Sequence, residues 1–291
     1  MSSNRVRMVL HGGAGALPSR DYGREIAHMR GLIEAGRDRL ISGASALEVV
    51  VETIAALEIS GFYVAGRGAS PNRSGIYELD ASLMHGPTRR AGAVAALVGY
   101  RSPIKAALAV MEKTSNVLLV GAGAAAFAAD QGLEEIGDPS GWFTPAWRDA
   151  GMNEAGATVG TVGCVVLDES GALAAGTSTG GTYGKRPGRV GDTPIPGAGV
   201  WADDTAAVSC TGEGEIFIRA AVAAQIAYRM RFGGETLSHA ARAAIEEVRA
   251  LDGSGGLIAL SASGEIAAPF NTKGMKRAAL AADGAITAEV F

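Results

Sequence analysis

Residues 156–181 read GATVGTVGCVVLDESGALAAGTSTGG. Two runs of small and apolar residues, 161–167 and 172–179, flank Asp168-Glu169-Ser170-Gly171. Short runs of this kind around a polar, Gly-containing turn read as a β-hairpin. Hydroxyls stand at both ends of it, Thr161 at the start and Ser178 and Thr179 at the finish, and three chemistries compete for them.

The first is a serine hydrolase. Gly176-x-Ser178-x-Gly180 fits G-x-S-x-G, His11-Gly12-Gly13 resembles an oxyanion-hole segment, and Asp203 or Asp204 and then His239 follow in triad order. An elbow of this type needs a helix directly after the serine. Residues 180–199, GGTYGKRPGRVGDTPIPGAG, hold too many Gly and Pro for one. The second is dinucleotide binding, from Gly121-x-Gly123-x-x-Ala126 after an apolar run. The second strand with its acidic end is missing; GDPSGWFTPAW follows instead. The third is a threonine nucleophile. A threonine hydroxyl needs an adjacent base. A free α-amine, with a reference pKa of about 7.7–8.0, supplies one. That amine exists only after a cut before the threonine. The breaker-rich segment 141–160 ends at Gly160, and Thr161 opens a strand. Thr158 lies three residues earlier, inside the breaker segment, and is the weaker candidate.

Outward from the hairpin, VRMVLHGGAG reads as a buried strand ending in a Gly turn. Helical spacing covers 21–41, 45–59 and 103–113, with Ser45 and Glu48 at capping-box spacing and Pro103 in a first turn. Residues 116–123 read as a strand or buried segment, and 124–137 as a helix stopped by Gly137 and Pro139. Residues 214–232 and 235–251 read as two amphipathic helices, and 255–271 as a second hairpin. The order is mainly helical in the first half, then hairpins around two helices, which predicts an α+β fold in layers.

Composition excludes several classes. The chain has 291 residues and a net charge of −4, with both signs interspersed. There is no basic face for nucleic acid and no apolar run of membrane length. The apolar run before His11 is too short for a signal peptide, so a cytoplasmic protein is expected. Cys164 and Cys210 read as buried free thiols, and the widely spaced histidines argue against a metal site. The 42 glycines are about twice the usual share of ~7%. They cluster at the ends of apolar runs, where the backbone must turn or pack closely.

Nine segments then fall in one order: HGGAGA from His11, ELDASLMHG from Glu78, AGAVAAL from Ala91, VMEKTSNVLLVGAGAAAFA from Val110, GTVGCVVLDESGALAAGTSTGG from Gly160, KRPGRVGD from Lys185, SCTGEGEIFIRA from Ser209, GSGGLIAL from Gly253 and PFNTKGMKRA from Pro269. In this order the chain resembles, nearly end to end, the plant-type L-asparaginases and isoaspartyl peptidases, which are N-terminal-nucleophile hydrolases. The resemblance implies a four-layer αββα sandwich forming a single domain. It implies self-cleavage between Gly160 and Thr161, leaving an α chain of residues 1–160 and a β chain of 161–291. It makes Thr161 the nucleophile and Thr179 its hydrogen-bonding partner. Thr211 and Gly212 become the oxyanion-stabilising pair, and Gly214 lines the amine pocket. Arg189 and Asp192 become the clamp for an L-aspartyl head. Read unaided, an arginine fork and a carboxylate three residues apart on a Gly/Pro loop suit a carboxylate and an ammonium, or form a loop salt bridge. His11 is expected to support structure.

The implied reaction releases L-aspartate from β-aspartyl peptides or asparagine, with no cofactor, in a homodimer of αβ units. Related readings are a glycosylasparaginase-like amidase and a non-cleaving ligand-binding protein. The chain departs from the family in FYVAGRG, where Val64 stands in place of an asparagine and Arg67 adds a charge. The ASPNRSG that follows is also unlike the family, so a sodium ion in this loop loses its usual sequence context.

Overall fold

The computed structural model describes residues 6–146 and 160–291; Thr158 and most of the expected linker lie outside them. The hairpin forms as read. β5 (Val162–Leu167) and β6 (Leu173–Thr179) pair antiparallel, with Val162 opposite Ser178. They occupy the middle of an eight-stranded sheet. Beside β5 lie β1 (Arg7–Ala14), β11 (Met275–Leu280) and β12 (Ile286–Glu289). Beside β6 lie β2 (Leu79–His85), β3 (Arg90–Leu97) and β4 (Leu118–Val120). The order is β12-β11-β1-β5-β6-β2-β3-β4. A second sheet has the order β10-β9-β8-β7, from β7 (Val200–Ala202), β8 (Ala206–Gly212), β9 (Gly255–Ser261) and β10 (Ile266–Ala267).

The two-residue period of a strand decides what each residue of the hairpin meets. Val162, Cys164, Val166 and Ala174 join an apolar cluster with four helices: α1 (Gly23–Ile41), α2 (Ala46–Ser60), α3 (Pro103–Lys113) and α4 (Gly121–Asp130). Val165, Leu167, Leu173 and Ala175 join a different cluster, with Val200, Ala207, Ile258 and Leu260 of the second sheet. The second sheet's other face packs on α7 (Val222–Gly233) and α8 (Leu237–Ala250). The protein is therefore mixed α+β, with its core in three apolar layers. By the same alternation Thr161, Thr177 and Thr179 share the face toward the second sheet, and Ser178 lies on the helix side.

Several elements differ from the reading. The first half is mainly helical as read, but it also holds a hairpin, β2 and β3, with Met84 opposite Ala91. Residues 118–120 do form a strand, but β4 is an edge strand with Leu118 and Val120 exposed. The helix from 121 ends at Asp130, not Gly137. Gly132 takes φ +66°, and Leu133 N–H donates to the Ala128 carbonyl; this glycine-terminated closure releases the chain early. Residues 214–232 are two helices, α6 (Gly214–Arg219) and α7. They break at Ala221 because the first N–H groups of α7, on Ala223 and Ala224, donate to the carbonyls of Ala198 and Gly197. Part of the expected linker is packed: α5 (Pro139–Trp142) precedes Phe143, whose ring stacks on Tyr77 at 3.8 Å. The capping box at Ser45 and Glu48 is present. Among the described residues, no helix is long and apolar enough to cross a membrane.

Candidate active site

Thr161 lies immediately before β5, buried, between the ends of β1 and β6. β1 allows its close approach through Gly13: a Cβ there would come within 3.4 Å of Gly160 Cα and of Thr161 N. From the other side Thr179 Oγ1 donates to the Gly160 carbonyl at 2.6 Å and accepts from Gly181 N–H at 3.0 Å. The Val64 carbonyl accepts from Gly180 N–H at 2.8 Å. Val64's side chain packs on Gly160, where a Cβ would lie 2.6 Å from Val64 Cβ and Cγ2. The bond between Gly160 and Thr161 is thus held by a hydroxyl on its carbonyl and an apolar wall behind its Cα.

Five of the residues singled out in the sequence, Thr161, Thr179, Arg189, Asp192 and Gly212, line one cleft together with Gly160. Free space in it is only about 10 Å³, roughly the room for one water. Thr211 and Gly214 stand just behind the lining. Thr211 Oγ1 accepts from Ala14 N–H at 3.3 Å and keeps its own proton to donate. Gly214 packs closely on Asp192: a Cβ at 214 would lie 3.0 Å from Asp192 N and Oδ1.

Arg189 and Asp192 do not form the loop salt bridge that the spacing left open. Arg189 Nε and Nη2 each donate to the Glu215 carboxylate at 2.8 Å. Only the Nη1 edge is left, and it lies against Gly191, another residue lining the cleft. Glu215 was missed in the sequence; it sits in the first turn of α6, and 26 residues separate it from Arg189. Asp192 is buried, and its Oδ2 has no protein partner. Burial pushes its carboxyl up to about 7, against the pull of the Arg189 charge. A buried carboxylate oxygen without a partner is costly, and an arriving ammonium would satisfy it.

His11 supports the floor. Its Nε2 pairs with Ser209 Oγ at 2.9 Å, and burial pushes it down to about 3. A backbone hydrogen bond with Thr161 opposes that shift. His11 stands opposite Gly163, and any Cβ at 163 would overlap the His11–Ser209 pair.

The serine triad does not assemble. Ser178 Oγ donates to Glu58 Oε1 at 2.7 Å on the helix side of the sheet. His239 is exposed on α8 beside Glu235, and Asp203 pairs with Arg231. The Gly121 fingerprint is a strand-to-helix turn between β4 and α4. Cys164 and Cys210 are buried free thiols.

A threonine just before a strand and the side chains of Arg189 and Asp192 thus share one cleft, an arrangement suited to hydrolysis of an amide bond. The comparison with known proteins is in line: residues 4–289 match the profile described as asparaginase, and the chain belongs to that family. An isoaspartyl peptidase of Salmonella typhimurium is 44% identical, over 94% of this chain and 95% of its own. One from Escherichia coli is also 44% identical, over 93% and 91%. A plant-type L-asparaginase of Thermococcus kodakarensis is 37% identical, over 93% and 95%.

Proposed function

We propose that this chain is an isoaspartyl peptidase with L-asparaginase activity, matured by its own cut between Gly160 and Thr161. The observation that carries the reading is the cleft itself. It gathers Thr161 with Gly160, Thr179, Arg189 and Asp192. Self-cleavage starts with Thr161 Oγ attacking the Gly160 carbonyl carbon, while the Thr179 hydroxyl polarises the oxygen. The acyl group shifts from nitrogen to oxygen. Water then hydrolyses the ester, freeing the Thr161 amine.

In turnover the freed amine takes the Thr161 hydroxyl proton, and Oγ attacks the side-chain carbonyl of a β-aspartyl group. Thr211 Oγ1 and Gly212 N–H hold the oxyanion; preorganised donors of this kind supply much of the rate enhancement in acyl transfer. The leaving amine takes the proton, and water releases L-aspartate. Asp192, with its free Oδ2, receives the substrate ammonium, and Gly214 shapes that end. The substrate carboxylate meets the Nη1 edge of Arg189, because Glu215 holds the fork in place.

The layering supports a four-layer αββα sandwich: helices on the outer face of each sheet and an apolar layer between the sheets. Residues 1–160 and 161–291 then form one domain, cut once. No cofactor is called for. The loop carrying Val64 does not favour a sodium ion: its Tyr63 and Ala65 carbonyls already accept from Ala65 and Gly68 N–H, and its one charged side chain is the cation Arg67. A second αβ unit is the proposed partner, and the exposed Val117, Leu118 and Val120 at the β4 edge suit such a contact. The apolar Val64 wall favours β-aspartyl compounds with a bulky leaving group over asparagine, as a glycosylasparaginase-like amidase would prefer. Assay of purified, matured protein with a β-aspartyl dipeptide and with asparagine tests the reading. A higher kcat/KM for the dipeptide is expected; hydrolysis of neither refutes it.

A further inference from the structure

Two of the motifs, ELDAS and KRPGRVGD, contribute residues that the chemistry above does not use: Glu78, Asp80 and Lys185. They meet behind the cleft. Asp80 stands directly opposite Thr179 in the β2–β6 register, so the two side chains share the site face. Asp80 is buried; its Oδ1 accepts from Ala96 N–H at 2.7 Å, and its Oδ2 has no protein partner. Lys185 is buried too, and its ammonium donates to the Glu78 carbonyl at 2.9 Å. That ammonium lies under the turn after Thr179: a Cβ on Gly181 would come within 2.6 Å of Nζ. Gly181 in turn donates to Thr179 Oγ1. Glu78 Oε1 accepts from the N–H of Gly188, the residue before Arg189.

Burial pushes Asp80 up to about 6, and the Lys185 charge is the strongest opposing influence. Burial lowers Lys185, and Asp80 is the first charge that opposes this. A lone buried charge is expensive, whereas a compensated pair is tolerated. We propose that Lys185 is a positioning residue: its buried ammonium, anchored on the Glu78 carbonyl and lying under Gly181, fixes the Thr179–Gly181 turn against Thr161 and balances the buried Asp80 carboxylate opposite Thr179, without touching substrate. The inference rests on the functional reading above. It accounts for the charges at the point where two motifs distant in sequence meet.

The test compares Lys185→Met, Lys185→Gln, Asp80→Asn and the double variant Asp80→Asn/Lys185→Met with the full wild-type chain. Self-cleavage and hydrolysis of a β-aspartyl dipeptide are both measured. Each single variant should lose at least tenfold in kcat, with KM within threefold, because the turn and not the substrate clamp is disturbed. Lys185→Gln should fall as far as Lys185→Met, since it keeps a donor and loses the charge. The double variant should lose at least tenfold less than the product of the two single losses, as coupled residues do. Lys185→Gln within threefold of wild type overturns the assignment, and so does a double loss equal to that product, or a loss confined to KM. A wild-type chain that neither cleaves nor hydrolyses overturns the functional reading instead.

Discussion

Replacing Gly160 with alanine tests the self-cleavage geometry at one atom. The new Cβ would lie 2.6 Å from Val64 Cβ and Cγ2, about 1 Å inside ordinary carbon–carbon contact. Val64 cannot simply swing away, since its carbonyl is bonded to Gly180 N–H. Overpacking of this kind costs about 1–3 kcal/mol. If the strain displaces the Gly160 carbonyl from Thr179 Oγ1 and falls on the transition state, cleavage slows about 5- to 150-fold. A misplacement of about 1 Å at reacting atoms is known to cost about a hundredfold. The assay is intact mass against time for the freshly purified chain. Val64→Gly removes Cβ and both Cγ atoms, so Val64→Gly/Gly160→Ala should cleave within about threefold of Val64→Gly alone. Wild-type cleavage by Gly160→Ala would refute the packing argument, and so would failure of Val64→Gly to rescue it.

Three further outcomes follow from the site. Ser178→Ala should retain self-cleavage and turnover but lose about 1–2 kcal/mol of stability, because Glu58 forfeits a buried hydrogen bond; abolished activity in a folded variant would revive the serine reading. Arg189→Ala should lose more than tenfold in kcat/KM for a β-aspartyl dipeptide, and a loss of only a few-fold would remove Arg189 from the clamp. Asp192 sets a pH dependence, its carboxyl being raised from 3.8 to about 7 by burial. Substrate ammonium needs the ionised form, so KM should rise as pH falls through about 7. In the free enzyme the sign is opposite: the folded state favours the protonated form, so Asp192's contribution to stability falls as pH rises from about 4 to about 7. Asp192→Asn should flatten both profiles relative to wild type, and unchanged profiles would reject the assignment.

The central hairpin was legible because its strands are short, apolar and bounded by turn residues. Thr161 was legible because breakers end where the strand begins. β2 and β3 were not, for a physical reason. LDASLMH is buried on both faces; its alternation of apolar Leu79, Ala81 and Leu83 with polar Asp80 and Ser82 is short, and the polar side is not a solvent face. Its Leu, Ala and Met are also good helix formers. The break at Ala221 has no Gly or Pro to announce it; it comes from two carbonyls in the 197–198 turn. Arg189 and Asp192 do share the cleft, but the arginine's fork belongs to Glu215, a contact across 26 residues that local spacing does not encode. Asp80 and Lys185 are likewise ordinary surface-type residues in the sequence; the β2–β6 register sets Asp80 opposite Thr179, and the turn after β6 puts Lys185 under Gly181.

The most direct measurement is the intact mass of the purified wild-type chain under denaturing conditions, followed over several days beside Thr161→Ala. Two wild-type species are expected, residues up to Gly160 and residues from Thr161 onward, appearing together with hydrolysis of a β-aspartyl dipeptide. Thr161→Ala should give one uncut, inactive species. Cleavage at another bond, or dipeptide hydrolysis by uncut Thr161→Ala, would contradict the assignment of Thr161 as nucleophile.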